Sequence, residues 1–464
     1  MGKSVKPSLG REFGWLWASY ATATFGTWLA FGAFPLIAIM VLDAGPAEVA
    51  VLAASGPAVG AVLAVPTGPW VEFRRKRPVM IGTDLVRFAA MASVPVTYAL
   101  DVLTLAQLVL VSVIVAAADI TFLAAGGAYL KALLPPDQLL VANARLEGTT
   151  WTASVLGPPA GGAMIGLFGP VTTVAADAAS YLLSALGIRA IGGRDREPRP
   201  SRSKARSVPG ARSAAGVRSA ARSRSEAGSR MRAADLLDGW RHILADPVLR
   251  PLFFNSVLVN GLIMASAPLL AVLMLDDYGF APWQYSLAFA VPCVGGLIGS
   301  RLAPGLVARH GQHRVLLVAG TLRACWPLGL AFIGPGVSGL VLIMVVEFGL
   351  IACCGVFNPV LATRRLLHTD TDRVARVLTA WSVTGKASIA TMTALWGLLA
   401  AALNSPRTAI GIAGLLLLAT PLLLPRHAPR AEGEEAGDGR DDQDERDDQD
   451  EQEGEDAPQD ALRP

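Results

Sequence analysis

Between residues 13 and 425 the apolar positions gather into about twelve stretches, each separated from the next by a polar gap. A helix needs roughly 20 apolar residues to cross the hydrocarbon core of a bilayer. The stretches 13–42, 46–70, 79–100, 103–128, 146–168, 170–191, 249–276, 283–307, 314–334, 337–358, 376–403 and 407–425 meet or approach that length. They predict an all-α polytopic membrane protein with twelve transmembrane helices. Six stretches precede a long polar segment and six follow it, so the spans divide into two six-helix halves, 13–191 and 249–425.

The gaps alternate in charge. Arg74-Arg75-Lys76-Arg77 follows the second stretch, the Arg-rich segment 194–232 follows the sixth, and Arg364, Arg365, Arg373 and Arg376 follow the tenth. The intervening gaps carry one basic residue, Arg407. Because cytoplasmic loops hold the Lys/Arg excess, both termini and the even-numbered gaps are expected inside a cell membrane. The stretch after Arg11 is longer than the apolar core of a signal peptide, so no cleavable signal is expected.

A mean hydropathy of +0.45 with 52% hydrophobic residues excludes an ordinary soluble domain, and the net charge of +3 hides two opposed blocks. Segment 192–235 holds twelve Lys/Arg against four acids, +8, and 426–464 holds sixteen acids against five Arg, −11. Both lack the apolar content to pack, and they are expected as a flexible basic linker (within 192–248) and a disordered acidic tail, alongside a short N-terminal tail 1–12. No aromatics interleave the linker arginines, which argues against nucleic acid as a partner and for the bilayer surface. Leu236, Leu237, Trp240, Ile243 and Leu244 recur at helical spacing before Asp246-Pro247, predicting a short amphipathic helix at the inner interface.

Candidate chemistry is sparse. Cys293, Cys325, Cys353 and Cys354 lie in predicted spans without metal-ligand spacing, and no phosphate-binding loop, zinc or nucleophile-elbow motif occurs. Neither an enzyme nor a cofactor or metal is expected. Ionisable residues inside spans cost roughly 2.5–3.5 kcal/mol each at a helix centre on insertion scales, so they mark candidate function. Glu347 and Lys386 lie where they could share a depth near the midplane and pair, either as a static ion pair or in a coupling role. Asp119 and Arg323 are also deep, while Asp84 and Arg87 are expected to tie structurally to the nearby loop 72–77.

Two glycine patterns stand out. Gly68-Pro-Trp-Val-Glu72-Phe-Arg74-Arg-Lys76-Arg77 has a weak echo in Gly305-Leu-Val-Ala-Arg309-His-Gly-Gln-His-Arg314, offset by 305 − 68 = 237 residues. In the fifth stretch, Gly148 is followed at a distance by Gly157-Pro158-Pro159-Ala160-Gly161-Gly162. Glycines let helices approach closely, and Pro158 removes a backbone donor, so this span could act as a pivot or as ordinary packing.

On these residues the chain resembles the major facilitator superfamily, whose fold the twelve spans would form. The fifth-span pattern matches that superfamily's antiporter motif at each fixed position. The 68–77 loop is similar to its gating-loop motif, with Glu72 for Asp, and with Phe73 and Arg75 in place of the usual Arg and Gly. Asp84-Leu-Val-Arg87, Ala142-Asn143-Ala144, Ala176-Asp177-Ala178 and the run His242–Arg250 look like the enterobactin-exporter-like and macrolide-efflux-like branch. The resemblance covers 13–425 and implies a monomeric secondary transporter, exporting a small amphipathic substrate by alternating access in exchange for protons or another coupling ion. A proton-coupled importer is the alternative. A non-transporting sensor would want a folded soluble domain, which this chain does not offer. The Arg that drug/proton antiporters of this family often carry in span four is absent, and Asp119 lies in that span instead.

Overall fold

The computed structural model describes residues 9–192 and 237–425, and every regular element among them is helical. Span one is α1 (Gly10–Leu29) followed by α2 (Ala33–Met40), broken at Gly32, whose φ of 80° suits glycine. Span two is α3 (Pro46–Ala64), and the short α4 (Thr67–Glu72) leads from its end into the basic loop. Spans three to six are α5 (Lys76–Ala99), α6 (Leu105–Leu133), α7 (Leu139–Phe168) and α8 (Pro170–Arg189). After the linker come α9 (Asp238–Ala245), α10 (Leu249–Val272) with a π turn to Asp277, and α11 (Pro282–His310). The chain continues with α12 (Gln312–Cys325) and its 3-10 extension to Phe332, α13 (Val337–Leu367), α14 (Val374–Leu403) and α15 (Pro406–Ala419).

Local chemistry sets these boundaries. Thr104 caps α6 by accepting from the Gln107 N–H at 3.3 Å, and Ser405 caps α15 through the Thr408 N–H at 3.2 Å. Pro46, Pro170, Pro282 and Pro406 open their helices, where no hydrogen-bonded N–H is lost. Asn404 ends α14 in the left-handed conformation at φ 47°.

Ten segments among the described residues are long and apolar enough to span a membrane. With α3 and α7 in the same bundle they fill the twelve expected positions. Several helices outrun the apolar stretch that predicts them. α7 begins at Leu139 rather than 146, α6 continues to Leu133 rather than 128, and α13 reaches Leu367 rather than 358. The extensions carry Lys131, Arg145, Arg364 and Arg365 on the face where the basic loops gather. Arg364 and Arg365, read from sequence as loop residues, are thus helical, Arg364 buried and Arg365 half-buried.

The predicted amphipathic helix is α9, docked against α14. Gly239 comes so close that a Cβ would stand 2.5 Å from the Arg376 carbonyl, the Trp240 indole donates to Thr384 Oγ1 at 2.9 Å, and Ile243 is buried. The segments 1–8, 193–236 and 426–464, which hold the expected flexible tails and linker, lie outside the described residues.

Candidate functional site

The two halves meet through their basic-face ends. Gly68 on α4 lets that turn sit on α14, where a Cβ would stand 3.0 Å from Thr379 and 3.2 Å from the Arg376 Cα. Four residues on, Glu72 Oε2 lies 2.5 Å from Arg376 Nε, and Arg376 Nη1 also donates to Asp238 of α9 at 2.9 Å. Arg376 therefore joins the first half, the second half and the linker helix. Neither Glu72 oxygen receives an aligned hydrogen bond. Burial accordingly pushes its carboxyl up to about 8, against the opposing pull of Arg376 and Lys76.

Neighbouring contacts complete the closure. Lys131 of α6 donates to the carbonyls of Leu366 (2.5 Å) and Thr369, at the C-terminal end of α13, where a cation suits the helix dipole. Gly127 is pressed against Leu378 so closely that a Cβ would fall 2.2 Å from its Cδ1. A buried apolar cluster of Phe13, Met80, Leu130 and Leu139 with Leu366, Val374 and Leu378 seals the rest.

Above this seal lies a cavity of about 270 Å³ between the halves, bounded by Tyr20, Phe122, Asn143, Glu147, Arg365 and Ser382 among others. Glu147 is the residue that sequence reading missed. Its Oε1 accepts from the Asn358 amide of α13 at 2.8 Å and from the Trp151 indole at 3.0 Å. Asn143, one turn earlier, donates to Thr363 at 3.0 Å, so two rungs of polar side chains tie α7 to α13 across the halves. Glu147 escaped notice because it sits at the expected edge of span five. With α7 starting at Leu139, it is about 12 Å up the helix. Its signal was the polar stripe Asn143, Glu147, Thr150 and Ser154, which recurs at helical spacing on α7.

Twelve spans in two halves, cross-half contacts that close the ends at the basic loops, and a largely apolar cavity between the halves with a few polar side chains in its wall together suggest a transporter. A family model described as Major Facilitator Superfamily matches residues 16–364. The chain belongs to the major facilitator superfamily.

Solved transporter structures show the same fold at low identity. A bacterial homologue of the iron transporter ferroportin, in an outward-facing state, has a TM-score of 0.71 at 14% identity, over 89% of this chain and 98% of that one. The human organic anion transporter MFSD10 (TETRAN) gives 0.68 at 15%, over 90% and 100%. The E. coli fucose:proton symporter FucP gives 0.63 at 12%, over 90% and 98%. No curated protein sequence matches the chain significantly.

The remaining sequence-selected residues of this major facilitator fall into three groups. In the antiporter-motif helix, Gly148 faces Ser300 of α11 (3.0 Å from a Cβ), Gly157 faces Trp28, and Gly161 lies under the Leu29 carbonyl, 2.0 Å from a Cβ. Gly162 has open space beside it. Gly157 and Gly161 are one turn apart, so they form the flat strip on which the end of α1 rests, and Pro158 lies between them within a helix that continues unbroken.

A second group is packed inside the halves. Arg87 bonds Asp84 at 2.6 Å, reaches Asp119 at 3.4 Å, and stacks on Phe122 and Tyr181, while Ser184 donates to the other Asp84 oxygen at 2.7 Å. Asp84 and Arg87 thus hold α5 to α6 and α8, a different tie from the expected one to the 72–77 loop. In that loop Lys76 donates to the Val71, Glu72 and Arg74 carbonyls, and Arg77 to those of Ile188 and Arg189, fastening it to α8. Arg323 is fully buried, donates to Asn255 at 2.5 Å and lies over Phe357.

The third group is Glu347 and Lys386, and no ion pair joins them in this structure. Glu347 is about 30 Å of helix from the basic-face end of α13, and Lys386 about 18 Å from that of α14. The apolar stretch 337–358 predicts the inner end of span ten at 358, whereas α13 runs on to Leu367. Glu347 is half-buried, and no cation among the described residues forms an ion pair with it.

Proposed function

We propose that the chain is a proton-coupled exporter of a small amphipathic compound, working by alternating access in a cell membrane. The basic face is taken as cytoplasmic, on the Lys/Arg asymmetry. On that orientation the structure corresponds to the state closed to the cytoplasm.

The observation that carries coupling is the bonding of Glu147. As a carboxylate it accepts two N–H bonds, one of them from Asn358 of the other half. Hydrogen bonds to an ionised acceptor are roughly twice as strong as neutral ones. A proton arriving on Glu147 therefore weakens a tie across the halves and favours opening at the basic face. Release of that proton, once the site faces the cytoplasm, restores the tie as the protein returns. Glu347 supplies a second acid, with no cationic partner among the described residues, and Asp119, held by Arg87, is the less free candidate.

Vesicles reconstituted with the purified protein and given a pH gradient test this reading. A panel of lipophilic cations, weak bases and siderophore-like chelators should include compounds that accumulate against the direction of proton flow. Glu347→Gln and Glu147→Gln should each abolish that accumulation while sparing downhill exchange. Movement with the proton flow would make the protein an importer, and movement indifferent to pH would remove proton coupling.

A further inference from the structure

A second, larger recess of about 730 Å³ lies on the outer flank of the first half, between α3, α5 and α6, away from the transport cavity. Its walls are apolar, with Leu63 and Val86 among the exposed side chains. Its floor is made by small residues, including Gly82 and Ala117, and a Cβ on Gly82 would meet nothing within 4 Å. At the basic-face end the character changes to Trp70, Arg74 and Arg75, with the Arg74 guanidinium 5.6 Å from the Trp70 ring centre.

From Arg75 to Val86 the recess follows about 16 Å of helix. That is half of a hydrocarbon core of roughly 30 Å, the depth of one leaflet. The charged mouth therefore stands at headgroup level and the apolar groove beside one leaflet's chains. Trp at this level is the usual interfacial anchor, and basic pockets between helices on the cytoplasmic side suit anionic headgroups.

We propose that this recess is a binding site for an anionic phospholipid of the leaflet on the basic face. One acyl chain lies along Gly82 and Ala117, and the phosphate diester is held by Arg74 and Arg75. The site is independent of which compound is carried and of the direction of transport. Because Arg74 is two residues from Glu72, a bound lipid restrains the loop that carries the gate.

The test is retention of lipid by the full-length protein, read by native mass spectrometry. The probes are phosphatidylglycerol and phosphatidylcholine with identical chains, and glycerol 3-phosphate as a headgroup without chains. Wild type should retain phosphatidylglycerol preferentially and glycerol 3-phosphate negligibly. The preference should fall on the order of fivefold for each arginine removed in Arg74→Gln and Arg75→Gln. Arg309→Gln/Arg314→Gln, in the echoing loop of the other half, should leave it unchanged. Gly82→Phe fills the groove without touching the arginines and should reduce retention of both lipids. An unchanged phosphatidylglycerol preference in the Arg74→Gln/Arg75→Gln protein, or unchanged retention in Gly82→Phe, overturns the proposal. Binding of glycerol 3-phosphate as strong as that of the lipid makes it a phosphate site and overturns it equally. Gly82→Phe keeps the test decisive should the arginine variants fail to fold.

Discussion

The guanidinium of Arg323 lies 3.5 Å from the ring centre of Phe357, fully buried in the second half. In the first half Arg87 stands over Phe122 at 4.4 Å. The offsets, 323 − 87 = 236 and 357 − 122 = 235, nearly equal the 237 of the glycine-loop echo. Each half thus carries an arginine on its third span facing a phenylalanine on its fourth. The polar partners have diverged, with Asp84 and Asp119 serving Arg87 and neutral Asn255 serving Arg323. Without a carboxylate, Arg323 depends more on the ring. Phe357→Leu should lower stability by about 2 kcal/mol, the range of a desolvated cation–π contact. Thermal unfolding in detergent checks this, with the counterpart Phe122→Leu costing less.

The antiporter-motif glycines should separate by position. Gly161→Ala drives a methyl into the Leu29 carbonyl, and overpacking of this kind costs about 1–3 kcal/mol. Gly162→Ala meets open space and should be neutral. Thermal unfolding and transport rates of the two variants decide it, and equal behaviour would deny the strip any specific role.

If the contacts around Glu72 act as the proposed gate, its closure has a pH dependence of definite sign. Its carboxyl is raised to about 8 in the closed gate, from an ordinary 4.5. The closed state therefore binds a proton that the open, solvated state releases. Closure is favoured fully below about 4.5 and loses this contribution as pH rises toward about 8. Thiol labelling of Leu378→Cys from the basic face should quicken over that window beyond the reagent's own pH dependence. In the Glu72→Gln background the extra dependence should vanish.

The fold was legible because twelve apolar stretches and an alternating charge pattern leave few alternatives to a helical bundle. Glu72 and Gly68 were legible too, since a Gly-rich loop with an acid and a basic end reads as a contact point even without its partner. What stayed hidden depended on where helices end. Hydropathy marks the hydrocarbon core, but α7 and α13 project beyond it. That shift brought Glu147 and Arg365 into the cavity wall and separated Glu347 from Lys386. Cross-half partners such as Asn358 for Glu147 lie 211 residues apart and leave no trace in local periodicity.

The central claim is that the charge on Glu147 holds the basic face closed. It can be measured without knowing the substrate. Spin labels on Asp137→Cys and His310→Cys, one on each half at exposed basic-face positions, report the opening when the four native cysteines are replaced by serine. Their distance distribution should be compared at one fixed pH, so that Glu72 is not varied, between the otherwise wild-type protein and Glu147→Gln, which mimics the protonated side chain. A longer-distance population that grows in Glu147→Gln is the predicted result. An identical distribution in the two proteins would contradict the account.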